Sequence, residues 1–251
     1  MKSFTNKLLA TAAVTAILSF APIANNAHAK GWHADDLWHG FYLGNHMGWA
    51  QFDNDLTHLS PAARAGSQVL NGSLGSNDFA GGLQAGINHQ IGVLVVGVEA
   101  DITFTTMKDD VDFFVPGAPG ITNTFRDEVD YVGTVRGRVG TAVNNAVIYF
   151  TGGLGFGQID HQIEQRATGL APSNAEDASS GLGYALGGGG EMHLGTVMGL
   201  PMSAKVEYLY IDLEDSTLTS AGGPAFAPST TNYSNQLNQV RVGVNVQLGG
   251  M

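Results

Sequence analysis

Eight charged side chains of this sequence lie within stretches that are otherwise mainly apolar residues and glycine. They are Glu99, Asp101, Arg136, Arg138, Glu191, Lys205, Glu207 and Arg241. Four are acids and four are bases, so their charges cancel if the fold brings them together. Because a buried charge is costly unless it is paired, a balanced set of this kind predicts a structural network. Two alternatives are a gated ion path and a carboxylate site for catalysis.

A second group of polar residues, near the N-terminus, has the side chains of a metal site: His33, Asp35, Asp36 and His39. Their spacing matches no standard metal motif, and a flexible acidic segment explains them more simply. His46 and His193 could act as general bases, but neither has an evident serine partner with an orienting acid. The sequence therefore predicts no catalytic, metal or cofactor site.

The stretch from Gly92 to Phe104 indicates how such charges are positioned. Its even-numbered residues from Leu94 onward are apolar, while its odd-numbered residues include Glu99 and Asp101. This period of two predicts a β-strand with one apolar and one polar face. A soluble core would not accept two unpaired carboxylates, whereas a strand of a membrane-spanning barrel has lipid on one face and a polar interior on the other.

Seven further stretches show the same alternation, which gives eight predicted strands. The eight are Gly40–Phe52, Phe79–Ile91, Gly92–Phe104, Val129–Val143, Val147–Asp160, Gly181–Leu194, Met202–Asp212 and Val240–Leu248. A tilted strand needs about 10 residues to cross a bilayer, and these stretches have about that length. Glu99 and Arg136 lie at similar depths in neighbouring strands, so we expect them to face each other.

The connections between these strands alternate between short turns and long polar segments. The long segments, predicted as loops, are residues 53–78, 107–128, 161–179 and 213–237. Bacterial barrels have short turns toward the periplasm and long loops outside. The sequence therefore predicts an all-β fold, an eight-stranded antiparallel up-and-down transmembrane β-barrel over residues 40–251, with both termini in the periplasm.

Residues 1–29 predict a secretory signal peptide. Lys2 and Lys7 give its positive start, residues 8–20 an apolar segment too short to span a membrane, and Ala27-His28-Ala29 a cleavage site. Residues 30–39 are then a periplasmic N-terminal lead. Cleavage would change the net charge from −11 to −13, leaving nine basic and 22 acidic residues. Such a chain lacks the basic footprint that nucleic-acid binding requires.

Several aromatic residues lie near the predicted strand ends and are expected to form the girdles at the two membrane interfaces: Trp38, Phe41, Trp49, Phe52, Phe79, Phe104, Tyr131, Phe150 and Tyr210. Other aromatic residues, Phe113, Phe114, Phe125 and Phe226, fall in the predicted loops and could contact a host molecule or pack the loops. The loops also hold most of the remaining acids, which could bridge cations to anionic lipid heads or simply be solvated.

The sequence resembles a known family through motifs spread over nearly all of the chain after residue 39. The motifs are GFYLGNHMGWA, IGVLVVGVEADI, VDYVGTVRGRVG, YFTGGLGFG, SAKVEYLYIDL and QVRVGVNVQL. They are similar to the small outer-membrane β-barrel proteins of Gram-negative bacteria, the porin-like outer membrane immunogenic protein group related to the outer membrane protein A barrel. The resemblance implies a non-enzymatic surface protein among outer-membrane lipids and lipopolysaccharide. Members usually end on an aromatic residue read by the barrel-assembly machinery, whereas this chain ends LGGM with Leu248 at that place.

The function predicted from these observations is that of a structural surface protein with long extracellular loops for adhesion or recognition, through which a host or surface ligand could bind. An eight-stranded barrel is only just wide enough for its own side chains, so the lumen is expected to be closed by paired charges. A narrow pore for small solutes is the main alternative. A membrane-lipid-modifying enzyme is a third, although no motif of that class is present.

Overall fold

The computed structural model describes residues 37–62, 66–114, 120–167, 173–220 and 228–249. The predicted signal peptide lies outside the described residues. So do His33, Asp35, Asp36 and Phe226, and nearly all of the predicted N-terminal lead. None of the described residues belongs to a helix long and apolar enough to cross a membrane.

Eight antiparallel strands form a closed barrel in which each strand pairs with the next and β8 pairs with β1. They are β1 Gly40–Ala62, β2 Gly66–Ile91, β3 Leu94–Phe114, β4 Ile121–Val143, β5 Ala146–Ala167, β6 Ser173–Val197, β7 Leu200–Ser220 and β8 Ser229–Gly249. The predicted fold class, strand number and strand order are therefore confirmed.

Three two-residue turns join the strands at one end of the barrel, which we call the turn end. Gly92, Asn144 and Met198 each begin such a turn with a positive φ, of 60°, 55° and 53°. A positive φ at the first loop residue is typical of hairpin turns whose twist matches the twist of the strands. The strands at this end therefore reverse direction through tight turns of only two residues.

At the other end, the prediction of four long loops is wrong over most of their length, because the strands continue through these segments. The strands have 21 to 26 residues, about twice what a bilayer needs. In β1, for example, Phe52, Asn54 and Leu56 face inward while Asp53 and Asp55 lie on the outer face. The loss of apolar residues from the outer face marks the end of the apolar band, and the strand continues beyond it.

The ring of strands is complete only toward the turn end. The ladder between β2 and β3 joins Gly81–Ile91 to Leu94–Phe104, and the ladder between β6 and β7 ends at Gly183 and Leu213. The other six ladders continue almost to the ends of the strands. The barrel therefore has a proximal half, which is a closed ring, and a distal half, which consists of the two sheets β7-β8-β1-β2 and β3-β4-β5-β6.

The outer face of the proximal half is apolar and exposed, and includes Phe41, Leu43, Met47, Trp49, Phe79, Leu83, Val98, Phe104, Val135, Phe150, Leu154, Leu186 and Val242. Two residues predicted for the aromatic girdles are instead buried inside. Trp38 precedes β1 and enters the mouth of the barrel. Phe52 is at an even-numbered position of β1, and the side chains at these positions face inward. Val129 is also buried although Val135 and Val139, which have the same parity, lie on the outer face, because a bulge at Asp130 shifts the alternation of β4 by one residue.

The barrel interior holds four layers of buried side chains between the turn end and the distal end. Trp38, Val95, Val147 and Tyr149 form the first layer. The eight charged residues form the second. The third is the apolar cluster of Ala50, Phe52, Ala80, Val129, Val132, Ile159, Ala185, Leu209, Ile211, Leu213 and Leu237. The fourth is the distal core, defined here as Leu56, Phe125, Ile163, Leu218 and Tyr233, with Val111 against it.

Candidate functional site

The eight charged residues lie together in the proximal half, on the inward faces of β3, β4, β6, β7 and β8. Their exposed fractions are between 1 and 7%. The register places Glu99 opposite Arg136 and Glu191 opposite Lys205, and it also places Glu207 opposite Arg241. We call this set the lumen charge network.

Glu99 lies at the centre of the network. Its carboxylate accepts hydrogen bonds from Arg136 Nη2 at 2.7 Å and from Lys205 Nζ at 2.8 and 2.9 Å. The hydroxyl of Tyr42 donates a further bond, at 2.7 Å, to Glu99 Oε2. Three strands, β1, β4 and β7, therefore converge on one carboxylate of β3.

Two arginines link Asp101 to Glu207 across the lumen. Arg136 donates to Asp101 Oδ2 at 2.8 Å and to Glu207 Oε1 at 3.2 Å. Arg241 donates to Asp101 Oδ1 at 2.9 Å and to Glu207 Oε2 at 2.7 Å. Thr134 adds a hydroxyl bond to Asp101 Oδ2. Each guanidinium thus joins strands that are not neighbours in the ring, as multidentate arginine donors allow.

Glu191 and Arg138 form a second centre nearer the turn end. Arg138 Nη2 donates to Glu191 Oε2 at 2.9 Å, and Glu191 Oε1 accepts from Ser203 at 2.5 Å and Asn245 at 2.7 Å. The Arg138 guanidinium carbon lies 3.9 Å from the ring centre of Tyr149, an arrangement that favours cation–π attraction. Tyr149 in turn donates to Glu207 at 3.0 Å, which connects the two centres.

Inward-facing glycines make room for these side chains. A Cβ at Gly189 would lie 2.7 Å from the Tyr149 hydroxyl, and one at Gly86 would overlap the Tyr42 hydroxyl. A Cβ atom essentially never approaches another atom this closely, so the two tyrosines reach the charges only because glycine stands opposite. The glycine content of the strands is therefore part of the site.

Sequence reasoning missed the neutral members of the network, which are Tyr42, Thr134, Tyr149, Ser203 and Asn245. Thr134, Ser203 and Asn245 have the same parity as a charged residue of the network on their own strand, and this parity was the signal available in the sequence. Tyr42 and Tyr149 lie on β1 and β5, which carry no member of the charged set, so only the alternation of those strands placed them inside. Parity places a side chain inside the barrel, but it does not identify the partner across the lumen.

The histidines considered from the sequence are distributed over three places. His46 is buried, and its Nε2 lies 2.9 Å from Thr103 Oγ1 across Gly82. His193 is half-buried near the turn end. His39 lies against His89, with ring centres 4.7 Å apart. Within the described ranges, no three His, Cys, Asp or Glu residues are grouped as metal ligands would be.

The phenylalanines considered for ligand contact do not all lie on the surface. Phe125 is fully buried in the distal core, where it packs inside the molecule. The reason is the continuation of β4 through the predicted loop, which gives Phe125 an inward parity. The side chains of Phe113 and Phe114 lie outside what the structure describes.

Comparison with known proteins agrees with this architecture. The profile of the family described as "Outer membrane protein beta-barrel domain" matches residues 10–248. A 31 kDa outer-membrane immunogenic protein of Brucella melitensis is 30% identical over 214 residues, which cover 83% of this chain and 82% of that protein. A 22 kDa outer membrane protein of Rhizobium leguminosarum is 26% identical, over 84% of this chain and 78% of that protein. Among solved structures, the outer membrane protein OprG from Pseudomonas aeruginosa has 14% identity and a TM-score of 0.49, covering 82% of this chain and 96% of that chain.

The family match spans nearly the whole chain, and the structure has the closed ring and the exposed apolar outer face that an outer membrane requires. This chain therefore belongs to the outer membrane protein β-barrel family.

Proposed function

We propose that this protein is a non-conducting surface barrel that holds a rigid β-structure outside the outer membrane for recognition. The observation that carries the proposal is the lumen charge network, in which Arg136 bridges β3 and β7 through the middle of the ring. An ion path needs polar groups, such as backbone carbonyls or charged side chains, that are free to replace the water around the ion. Each of the four carboxylates of the lumen charge network has at least two cationic or hydroxyl partners, so a passing ion would have to displace these partners.

The turn end supports the same proposal. Trp38 is only 1% exposed and packs with Val95, Val147 and Tyr149 in the mouth of the barrel. Its backbone N–H donates to Gln90 at 3.1 Å, and the carbonyl of Leu37 accepts from Gln247 at 2.8 Å. The last residues before β1 are therefore held across the mouth as a cover.

The distal side adds two apolar layers above the charges. Leu209, Ile211 and Leu237 are buried in the nearer one, and Phe125 and Tyr233 in the distal core. A solute crossing the barrel would have to pass ionic and apolar layers in turn. This arrangement favours a closed interior over a pore.

The test is the conductance of the full mature chain in a planar lipid bilayer. We expect no discrete current steps from the wild type, with insertion checked by the different gel mobility of unheated and boiled protein. Arg136→Ala removes the central bridge, and Val135→Ala on the lipid-facing side of β4 is its matched control. Large stable steps in the wild type, altered in ion selectivity by Arg136→Ala but not by Val135→Ala, would show that the barrel is a pore.

We also propose that this protein is not an enzyme. The contact between His46 and Thr103 has the elements of a base and a hydroxyl nucleophile, but both side chains are buried. Within the described residues, Nδ1 of His46 has no hydrogen-bond partner that could orient the ring. A nucleophilic site requires such an orienting group and access for a substrate.

We also propose that the turn end and both termini lie in the periplasm, with the distal half outside the cell. The two-residue turns at one end and the long strand extensions at the other support this orientation. An epitope inserted at residue 64 should be labelled on intact cells. One inserted between Asn144 and Asn145 should be labelled only after the outer membrane is permeabilised, and the reverse result would invert the orientation.

The C-terminal strand leads to a proposal on assembly. Leu248 is exposed on the outer face of β8, at the place where the resemblance expects an aromatic residue. If the barrel-assembly machinery reads this side chain, Leu248→Phe should speed the appearance of folded barrel in cells. Val242→Phe, on the same face of β8, is the control. Equal rates for all three proteins would show that this position is not read.

A further inference from the structure

The distal half has sheet edges that the proximal half lacks. Within the described residues, the β2–β3 and β6–β7 ladders end before residues 66–80 of β2, 105–114 of β3, 173–182 of β6 and 214–220 of β7. Each of these segments pairs with a neighbour on one side as the border of a four-stranded sheet. A sheet border can accept a strand from another polypeptide unless something prevents it.

All four borders carry charged residues, but the β2 border has only one, Asp78, and the other three have two or more. The charged residues of those three are Lys108, Asp109, Asp110 and Asp112 on β3, Glu176 and Asp177 on β6, and Glu214 and Asp215 on β7. Charges on border strands are a common protection against pairing with other chains. Residues 66–77 of β2 contain no charged residue, and the β2 border is also the longest of the four.

The backbone of β2 is ready to pair. Its register with β1 is unbroken from Ala62 and Gly66 to Gly40 and Asn88, so the strand is regular to its tip. In an antiparallel pair, alternate residues direct their N–H and C=O groups to opposite sides. Over residues 66–74, every second residue therefore presents a donor and an acceptor away from β1.

The charges near this border indicate the kind of partner. The β3 border, which follows β2 around the ring, has three aspartates against one lysine, and Asp110 and Asp112 are exposed. Asp55 is exposed on the neighbouring strand β1, and the chain as a whole has a net charge of −11. An incoming strand with lysine or arginine side chains would therefore be attracted, and an acidic one repelled.

A second copy of this chain fits less well. Two barrels in one membrane have their β2 strands running in the same direction, so two β2 borders could pair only in parallel, and the antiparallel borders of β3 and β7 each carry acidic residues. Parallel pairs are somewhat less stable than antiparallel ones, and each copy carries the same acidic surroundings.

We propose that residues 66–74 of β2 bind an extended, basic segment of another polypeptide, which adds to the sheet as an antiparallel strand. This inference rests on the proposed surface function and names its partner class. Main-chain hydrogen bonds would supply the affinity, while the nearby acids would select the charge of the segment. The proposal has its own test, because binding at the border does not depend on whether the lumen conducts.

The experiment uses the full mature chain in lipid nanodiscs and a labelled ten-residue peptide of alternating Lys and Val. Two matched peptides have Glu in place of Lys, or N-methyl groups on alternate amides that block one side of the ladder. We expect the Lys peptide to bind and each matched peptide to bind at least about tenfold more weakly, since about 1.4 kcal/mol, one or two hydrogen bonds, is a factor of ten. Hydrogen exchange should show slowed amides at alternate residues of 66–74.

Variants of the border distinguish strand addition from general charge attraction. Asn71→Lys places a positive charge on the β2 border, and Thr217→Lys places the same charge on the β7 border. Both positions are exposed. We expect Asn71→Lys to weaken the Lys peptide about tenfold and Thr217→Lys to leave the affinity within about twofold, because exposed charges separated by more than about 10 Å are largely screened.

Three outcomes would overturn the proposal. One is equal binding of the N-methylated peptide, and another is slowed exchange at the β3, β6 or β7 border instead of β2. The third is slowed exchange at residues 66–74 without peptide as the number of barrels per nanodisc rises, which would assign the border to a second copy. Binding of the expected peptides with the expected variant effects supports it.

Discussion

The proximal and distal halves of this barrel have opposite distributions of polarity. The proximal half is apolar outside and ionic inside, with Glu99 and Arg136 buried at its centre. The distal half is polar outside, with exposed residues such as Asp55, Asp110 and Arg126, and its interior is the apolar distal core. The same eight strands therefore have the polarity expected of a barrel in lipid, apolar outside and polar inside, along one half. Along the other half they have the polarity expected of a protein in water, polar outside and apolar inside.

The opposite polarity of the two halves explains why the ring closes in one half and opens in the other. In lipid, every backbone N–H and C=O needs a partner within the protein, so the proximal half must be a complete ring. In water, an edge strand can be solvated, and two sheets that pack on an apolar core are stable without closure. The ends of the β2–β3 and β6–β7 ladders thus lie where the exposed apolar band ends.

The largest expected effect comes from breaking the ionic interior. Arg136→Ala should lower the free energy of unfolding by about 3–5 kcal/mol, because Glu99, Asp101 and Glu207 keep their desolvation cost and lose a cation. Urea unfolding in lipid vesicles measures it. Arg126→Ala, an exposed arginine on the distal part of the same strand, should change stability by less than about 0.5 kcal/mol. Equal effects of the two substitutions would contradict a buried network.

Adding Glu99→Ala to Arg136→Ala sharpens the test. The double variant should recover only part of the loss, because Lys205 and Tyr42 also bond to Glu99 and would lose their acceptor. Strictly additive losses would mean that the two residues do not interact. Full recovery would mean that the pair is isolated from the rest of the network.

The next effect concerns the distal core. Phe125→Ala should cost about 3–5 kcal/mol of packing free energy in the distal half. Since the proximal ring does not depend on this core, hydrogen exchange should accelerate in residues 120–128 but not in residues 133–143. Val135→Ala, on the outer face of the proximal half, is the control. Acceleration along the whole of β4 would show that the two halves unfold as one unit.

A smaller effect is expected from the glycines that admit the tyrosines. Gly189→Ala should cost about 1–3 kcal/mol through overpacking, because its Cβ would lie 2.5 Å from the carbonyl oxygen of Val206 and 2.7 Å from the Tyr149 hydroxyl. Gly137→Ala is a matched control, since its nearest neighbour would be a carbonyl oxygen 3.9 Å away. Thermal unfolding of both variants in the same detergent measures the difference. If Gly137→Ala lowered the unfolding temperature as much as Gly189→Ala, the cause would be the reduced backbone flexibility common to both substitutions. The space inside the lumen would then not explain the effect.

The sequence predicts the proximal half well because two signals agree there. Alternation gives the face of each residue, and the two-residue turns at Gly92 and Asn144 allow the register to be counted from a fixed point. This count places Glu99 opposite Arg136 without a structure. It cannot show that Arg136 also reaches Glu207, because that contact crosses the lumen between strands that are not paired.

The distal half is predicted poorly for a physical reason. Its outer face is in water, so polar residues alternate with a few apolar ones, and the pattern resembles a loop. Leu56 and Phe125 each look like isolated apolar residues in a polar segment, although they meet in one core. The place of Trp38 is equally hidden, because nothing in the local sequence distinguishes a girdle residue from one that enters the barrel mouth.

The smallest expected effect is a pH dependence confined to the distal half. His58 is buried, its Nδ1 lies 2.7 Å from Thr231 Oγ1, and its ring packs edge-on against Phe125. Burial lowers the pKa of His58 below its usual value. The unfolded chain therefore binds a proton more readily than the folded one as the pH falls below the usual histidine pKa of about 6.5. Folding stability at this site is complete above that pH and declines below it, by at most about 1.4 kcal/mol per pH unit.

Hydrogen exchange of residues 54–59 should accelerate between pH 7 and pH 5 in the wild type, after correction for the intrinsic rate, and His58→Gln should abolish this dependence. An equal acceleration in the proximal half, or in His58→Gln, would assign the pH response to another group.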